Sequence, residues 1–211
     1  KEMQARILGV ESDITRWQQK QNANNNFTAT VPYELEQLRA EQEHYLEPSF
    51  APIFGYGPHG AIVHYSATEE SDAALKPEGF VLSDTGGHYL EGSTDVTRTF
   101  VLGPLTQEMK HHYTLVLRGH LNLAAAKFKA GCSGANLDYI ARKPLRDEGL
   151  DYNHGTGHGV GYLLGVHEGP QNIRYRSASS HGPDTPLESG MITSDEPGLY
   201  LEGKYGIRLE N

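Results

Sequence analysis

The feature that constrains this chain most is an acid inside an apolar run. Asp84 follows Phe80-Val-Leu-Ser83 and opens a stretch that continues through Ser93-Thr-Asp-Val-Thr-Arg-Thr99. A carboxylate between apolar neighbours of a strand is costly unless something compensates it. Taken alone, Asp84 reads equally well as a turn or capping aspartate. A second carboxylate, Asp95, follows eleven residues later across a turn at Glu91-Gly92. Three later stretches add His158, Glu196 and Glu210. One imidazole and four carboxylates serve a single ion poorly. They suit two hard or borderline divalent ions that share bridging carboxylates. A two-metal hydrolase is therefore expected.

The setting of the other donors sharpens this. His154 and His158 lie in Asn153-His-Gly-Thr-Gly-His-Gly-Val-Gly161, where glycine lets the backbone pack tightly and leaves the imidazoles facing a cavity. With His167, three histidines fall within fourteen residues, which favours a site over isolated structural histidines. The glycines alternate and do not have the G-x-G-x-x-G spacing of a dinucleotide loop. His88, His111, His112, His120 and His181 have no such setting and read as surface or incidental. In Thr193-Ser-Asp-Glu-Pro-Gly198 either Asp195 or Glu196 could be a ligand on chemistry alone. Strand alternation puts Arg208 on the same face as Glu210, as a salt-bridge partner or as a donor that orients a ligand carboxylate.

Composition excludes other classes. A net charge of −9 argues against a nucleic-acid grip, which needs a basic surface. Cys132 is the single cysteine, so no internal disulfide can form, which fits a cytoplasmic setting. No run approaches the ~18 apolar residues of a membrane span, and the first residues are no signal peptide. The chain lacks an initiator Met and stops at Ile207-Arg-Leu-Glu-Asn211, inside an expected strand. Residues 1–211 thus read as one domain, a fragment truncated at both ends of a longer polypeptide.

Periodicity predicts a helix over 2–21 (Met3, Ile7, Val10, Ile14, Trp17), an asparagine-rich loop to 27 and a second helix over 31–46. Short strands are expected over 49–55 and 60–65, a polar loop over 67–78, and an antiparallel pair over 80–85 and 95–102. A helix follows over 106–129, with Tyr113, Leu117, Leu121, Ala124 and Phe128 inward. A further helix runs to about 148, kinked at Pro144. The polar loop 174–186 and a strand-turn-strand over 190–211 complete an α+β chain, a mostly antiparallel sheet backed by helices.

Five stretches together carry a resemblance: Gly60-Ala-Ile-Val-His-Tyr65, Asp84-Thr-Gly-Gly with Ser93 to Thr99, His154 to Gly161, Val166-His-Glu-Gly-Pro170, and Asp195-Glu-Pro-Gly-Leu-Tyr200 with Gly206 to Asn211. The chain resembles the pita-bread metallopeptidases, which include methionine aminopeptidase, prolidase and aminopeptidase P. It is most similar to the long cytosolic Xaa-Pro aminopeptidases. The resemblance implies a pita-bread fold of two pseudo-symmetric halves. It implies metal ligands at Asp84, Asp95, His158, Glu196 and Glu210, which selects Glu196 over Asp195, with Asp95 and Glu210 bridging. The cofactors implied are two divalent ions, commonly manganese, with zinc or cobalt also accommodated. His64, His154 and His167 fall on substrate-side histidines, and Tyr200 and Arg208 lie near the site in relatives.

The implied reaction cuts the bond between an N-terminal residue and a penultimate proline by a hydroxide shared between the metals, with Glu196 moving the proton. The alternatives are a prolidase acting on Xaa-Pro dipeptides and a catalytically inactive binding module. The implied partners are a peptide substrate, no nucleic acid and no membrane. The parent protein is expected to be a homodimer through N-terminal domains that this chain lacks.

Overall fold

The computed structural model describes residues 28–163, 165–175 and 184–211. The helix expected over 2–21, the loop to 27, the Ser177-Ala-Ser-Ser180 tract and His181 lie outside the described residues. In chain order the elements are α1 (Val31–Ala40), β1 (Tyr45–Pro48), β2 (Ile53–Tyr56), a 3-10 turn (Gly57–Ala61), β3 (Phe80–Thr85), β4 (Gly87–Tyr89), β5 (Gly92–Ser93) and β6 (Val96–Val101). Then come α2 (Gln107–Ala124), α3 (Gly134–Arg146), β7 (Gly157–Val160), β8 (His167–Ile173), β9 (Gly198–Leu201) and β10 (Tyr205–Arg208). All strand pairs are antiparallel.

β3 is the centre of a three-stranded sheet ordered β2-β3-β6, and all six of its residues are buried. This is why its sequence is apolar up to Ser83. Its register with β6 runs from Phe80 opposite Val101 to Thr85 opposite Val96. Asp84 therefore faces Thr97, and Asp95 falls one residue before β6. The expected antiparallel pair around the two aspartates is present.

The β9-β10 hairpin lies against this sheet. The Thr99 hydroxyl donates to the Arg208 carbonyl at 3.0 Å, and the Glu210 N–H donates to the Thr97 carbonyl at 3.1 Å. Behind it, Phe80, Leu115, Val116, Leu145, Tyr152, Leu199, Tyr205, Ile207 and Leu209 form the main core. A second cluster of Leu123, Leu137, Ala141 and Ile173 joins α2, α3 and β8. The Thr106 hydroxyl caps α2 by accepting from the Met109 N–H, and Ser133 with Asn136 forms a capping box at α3.

Four expectations are corrected. The helix from Val31 ends at Ala40, and Tyr45–Pro48 is a strand paired with β4. His44 turns the chain between them at φ 63°. The segment 60–65 is not a strand: Gly57 at positive φ and Pro58 start a 3-10 turn there. The buried face of α2 is His112, Leu115, Val116, Gly119, His120 and Leu123, whereas Leu121 and Phe128 are about half exposed. Two buried histidines read as polar in a periodicity pattern and shifted the expected stripe. α2 also ends at Ala124 instead of Lys129. At Gly119 an added Cβ would lie 2.3 Å from the Ala141 carbonyl oxygen, so α2 and α3 touch backbone to backbone. Among the described residues no helix is long and apolar enough to cross a membrane.

Candidate metal centre

Five chain segments converge on one point. Asp84 comes from β3, Asp95 precedes β6, His158 sits on β7, Glu196 precedes β9 and Glu210 follows β10. β7 is held against the segment before β9 by three contacts. The Ser194 N–H donates to the His158 carbonyl at 2.8 Å, the His158 N–H to the Ser194 hydroxyl at 2.9 Å, and the Glu196 N–H to the Thr156 carbonyl at 2.8 Å. Glycine makes this approach possible. A Cβ at Gly157 would lie 2.0 Å from the Ser194 carbonyl oxygen, and one at Gly159 would lie 2.0 Å from that of Glu168.

His158 Nε2 lies 3.3 Å from Asp95 Oδ2, 3.4 Å from Glu196 Oε1 and 4.0 Å from Glu210 Oε1. Two donor triads able to hold a metal ion share Glu210: His158 with Glu196, and Asp84 with Asp95. A third combines Asp95, His158 and His167. Asp195 is in none of them. Its carboxylate lies 3.4 Å from His120 Nδ1.

The donor set fits divalent cations on three grounds. First, His158 Nδ1 is 3.0 Å from the Gly159 carbonyl, which only accepts, so Nδ1 carries the hydrogen and the Nε2 lone pair faces the carboxylates. Second, Asp84 Oδ1 is buried with no hydrogen-bond partner. Third, the carboxylates are short of positive charge. Burial pushes Glu196 up to about 7. Burial, then Glu196, Asp95 and Asp84, raise Glu210 well above the usual carboxylate range. Burial raises Asp84 despite the neighbouring Arg208. For His158, burial disfavours the imidazolium, but Asp95, the Gly159 carbonyl and Glu196 outweigh it and raise the pKa. Acids in this state bind protons or cations.

A hydrogen-bond chain that is buried at its start leads away from Asp84. Arg208 Nη2 donates to Asp84 Oδ2 at 2.6 Å, and Nη1 donates to the Tyr200 hydroxyl at 2.8 Å. That hydroxyl lies 2.8 Å from His154 Nε2. His154 Nδ1 donates to the Gly155 carbonyl at 2.7 Å, so Nε2 accepts from Tyr200. Burial pushes His154 down to about 4, so the ring is neutral near pH 7. His167 is exposed, and its ring centroid is 4.0 Å from that of His158. Partial desolvation of the ring by the surrounding site, and then His158, lower its pKa. His64 is exposed.

Three histidines read as surface or incidental are buried and bonded. His88 Nδ1 meets the Ser93 hydroxyl at 2.6 Å, His112 Nδ1 meets the Tyr205 hydroxyl at 2.8 Å, and His120 meets Asp195 and Asn211. Each is bonded by a partner that sequence spacing does not reveal. His111 is exposed, as expected, and contacts Glu148. Thr97, whose hydroxyl donates to Glu210 Oε2 at 2.6 Å, was also missed. Its place two residues after Asp95 was the available signal.

A family model described as Metallopeptidase family M24 matches residues 22–211. The chain belongs to this family. It has the family's pita-bread fold, mixed helix and antiparallel sheet. It is 46% identical over 182 residues to Aminopeptidase P1 of Arabidopsis thaliana, a match covering 86% of this chain and 28% of that relative. The X-prolyl aminopeptidase of Caenorhabditis elegans, a cytosolic enzyme with a di-nuclear active site, superposes with TM-score 0.85 at 38% identity, over 96% of this chain and 32% of that one. The prolidase of Pyrococcus furiosus superposes with TM-score 0.80 at 27% identity, over 96% of this chain and 57% of that one. The M24 chain therefore spans under a third of the Arabidopsis thaliana and Caenorhabditis elegans aminopeptidases.

Proposed function

We propose that the chain is the catalytic domain of a dinuclear-metal aminopeptidase that releases an N-terminal residue from a penultimate proline. The observation that carries this is the pair of donor triads sharing Glu210. In this reading Asp84 would help hold one ion and His158 with Glu196 the other, with Asp95 and Glu210 as ligands common to both. Manganese is the proposed metal, with zinc or cobalt as substitutes. When bound, the ions supply carbonyl polarisation and a water acidified toward neutrality.

The chain's own residues do the rest. Glu196 accepts the proton of the attacking water and passes it toward the proline nitrogen, which has no hydrogen of its own in the peptide. His154 and His167 are the proposed donors to the oxyanion and the substrate carbonyl. For His154 this means that its donor turns from the Gly155 carbonyl to the substrate. Such a donor typically contributes ~3 kcal/mol. His64 walls the proline pocket. Arg208 and Tyr200 hold Asp84 in place beside the substrate's free amine. A cytosolic location and a homodimeric, longer parent protein belong to the same reading, supported by the cytosolic Caenorhabditis elegans enzyme and the greater length of the relatives.

The test is hydrolysis of Ala-Pro-Ala and of Ala-Pro by metal-stripped protein, with and without manganese. Manganese-dependent release of alanine from the tripeptide is expected. Cleavage of the dipeptide alone would assign a prolidase instead.

A further inference from the structure

His120 is on α2, remote in sequence from all five donors, and is 6% exposed. Its Nδ1 lies 3.0 Å from the main-chain carbonyl oxygen of Asp195. A carbonyl only accepts, so Nδ1 carries the hydrogen. The Asp195 carboxylate is 3.4 Å from the same nitrogen. On the other side of the ring, Nε2 lies 3.1 Å from the side-chain nitrogen of Asn211. The direction of that contact is fixed from its far end. Asn211 Oδ1 is 2.7 Å from Arg98 Nη2, and a guanidinium only donates. The amide nitrogen of Asn211 therefore points at His120 and donates to the Nε2 lone pair. The contacts thus assign one role to each ring nitrogen, and a directed chain runs from Arg98 through Asn211 and His120 to the Asp195 carbonyl.

The two ends of this chain are the neighbours of two site carboxylates. Asp195 precedes Glu196, and Asn211 follows Glu210. Their main chains pair as well: the Asp195 N–H donates to the Asn211 carbonyl at 2.9 Å, and the Asn211 N–H to the Asp195 carbonyl at 3.3 Å. Arg98 also donates to the Glu210 carbonyl. Like charges on Glu196 and Glu210 drive these two segments apart whenever both are ionised. A cross-link one residue from each carboxylate opposes that motion.

We propose that His120 is a positioning residue of the metal centre, a clamp that fixes the separation of Glu196 and Glu210. This rests on the metal-centre reading above. The test is calorimetric titration of the metal-stripped 211-residue chain with manganese chloride, for the parent, His120→Ala and His120→Asn. Uptake of two ions by the parent tests the centre itself. His120→Ala, checked as folded by circular dichroism, is expected to bind manganese ~10–100-fold more weakly, the usual effect of removing a group that orients a ligand. His120→Asn keeps an N–H where Nδ1–H stands and should recover most of that loss, which a merely space-filling role would not predict. Parent-like affinity in His120→Ala overturns the proposal, and so does an Asn variant no better than Ala. Nitrogen-15 spectra of the metal-free parent give a readout independent of metal. They should show a protonated Nδ1 and a bare Nε2 at His120. The opposite tautomer, or an imidazolium, breaks the directed chain and the proposal with it.

Discussion

Two buried polar clusters sit side by side in this molecule and are balanced in opposite ways. One is built on α3, where Asp138 and Arg142 are one helical turn apart and both nearly fully buried. Asp138 accepts from Arg142 Nε and from the Thr156 hydroxyl, both at 2.6 Å. Arg142 also donates to Asp151 at 2.8 Å and to the carbonyls of Tyr152 and His154 at 2.6 and 2.8 Å. Its guanidinium lies 3.9 Å from the Tyr152 ring centroid. Every charge there has a partner within the chain. The other cluster gathers Asp84, Asp95, Glu196 and Glu210 around His158 and one guanidinium, with His167 beside it, and leaves Asp84 Oδ1 with no partner. The first cluster is complete as protein. The second has the charge balance of a site completed by cations.

The clusters share a wall. Arg142 holds the His154 carbonyl, and the Thr156 carbonyl receives the Glu196 N–H. The satisfied cluster is thus a foundation for the unsatisfied one. Breaking the foundation should have the largest effect on folding. Arg142→Ala leaves Asp138 buried without its charge partner, and is expected to cost about 3–5 kcal/mol in denaturant unfolding. A cost under ~1 kcal/mol would show that the pair is not the anchor described here.

Relieving the unsatisfied cluster should do the reverse, and in a pH-dependent way. Glu196 has a folded pKa of about 7, above its ordinary 4.5. The folded metal-free chain therefore holds a proton there that the unfolded chain releases between pH 4.5 and 7. Stability falls as pH rises through that window. Glu196→Gln removes the titrating group, so the metal-stripped variant should gain on the metal-stripped parent from pH 4.5 to 7, by ~1–3 kcal/mol in all. Taking the difference between variant and parent cancels the opposing contribution of His154, which is lowered to about 4 and favours the folded state as pH rises. A pH-independent difference would mean that burial does not raise Glu196 in the folded chain.

The same contrast explains what the sequence made legible. The unsatisfied cluster could be read, because acids in apolar or glycine-rich settings such as Asp84 and the His154 to Gly161 segment are conspicuous. The strand pair around Asp84 and Asp95 could be read too, because β3 is buried on both faces and its composition says so. The satisfied cluster could not. Asp138 and Arg142 look like an ordinary i, i+4 surface pair until their partners at 151–156 fold over them. His112 and His120 were hidden for a similar reason. A buried histidine is polar to a periodicity rule, and its partners Tyr205, Asp195 and Asn211 are distant in sequence. The 3-10 turn at Gly57–Ala61, started locally by Gly57 and Pro58, packs on β10 so closely that a Cβ at Gly206 would lie 1.7 Å from the Gly60 carbonyl oxygen, a contact distant in sequence.

The most direct test of the central claim is a count of metal ions bound per chain, by elemental analysis after equilibration with manganese, for the parent and for Asp95→Ala. Two ions are expected in the parent and loss of both in the variant, since in the proposed centre Asp95 is a ligand common to both ions. No more than one ion in the parent, or two retained without Asp95, would contradict it.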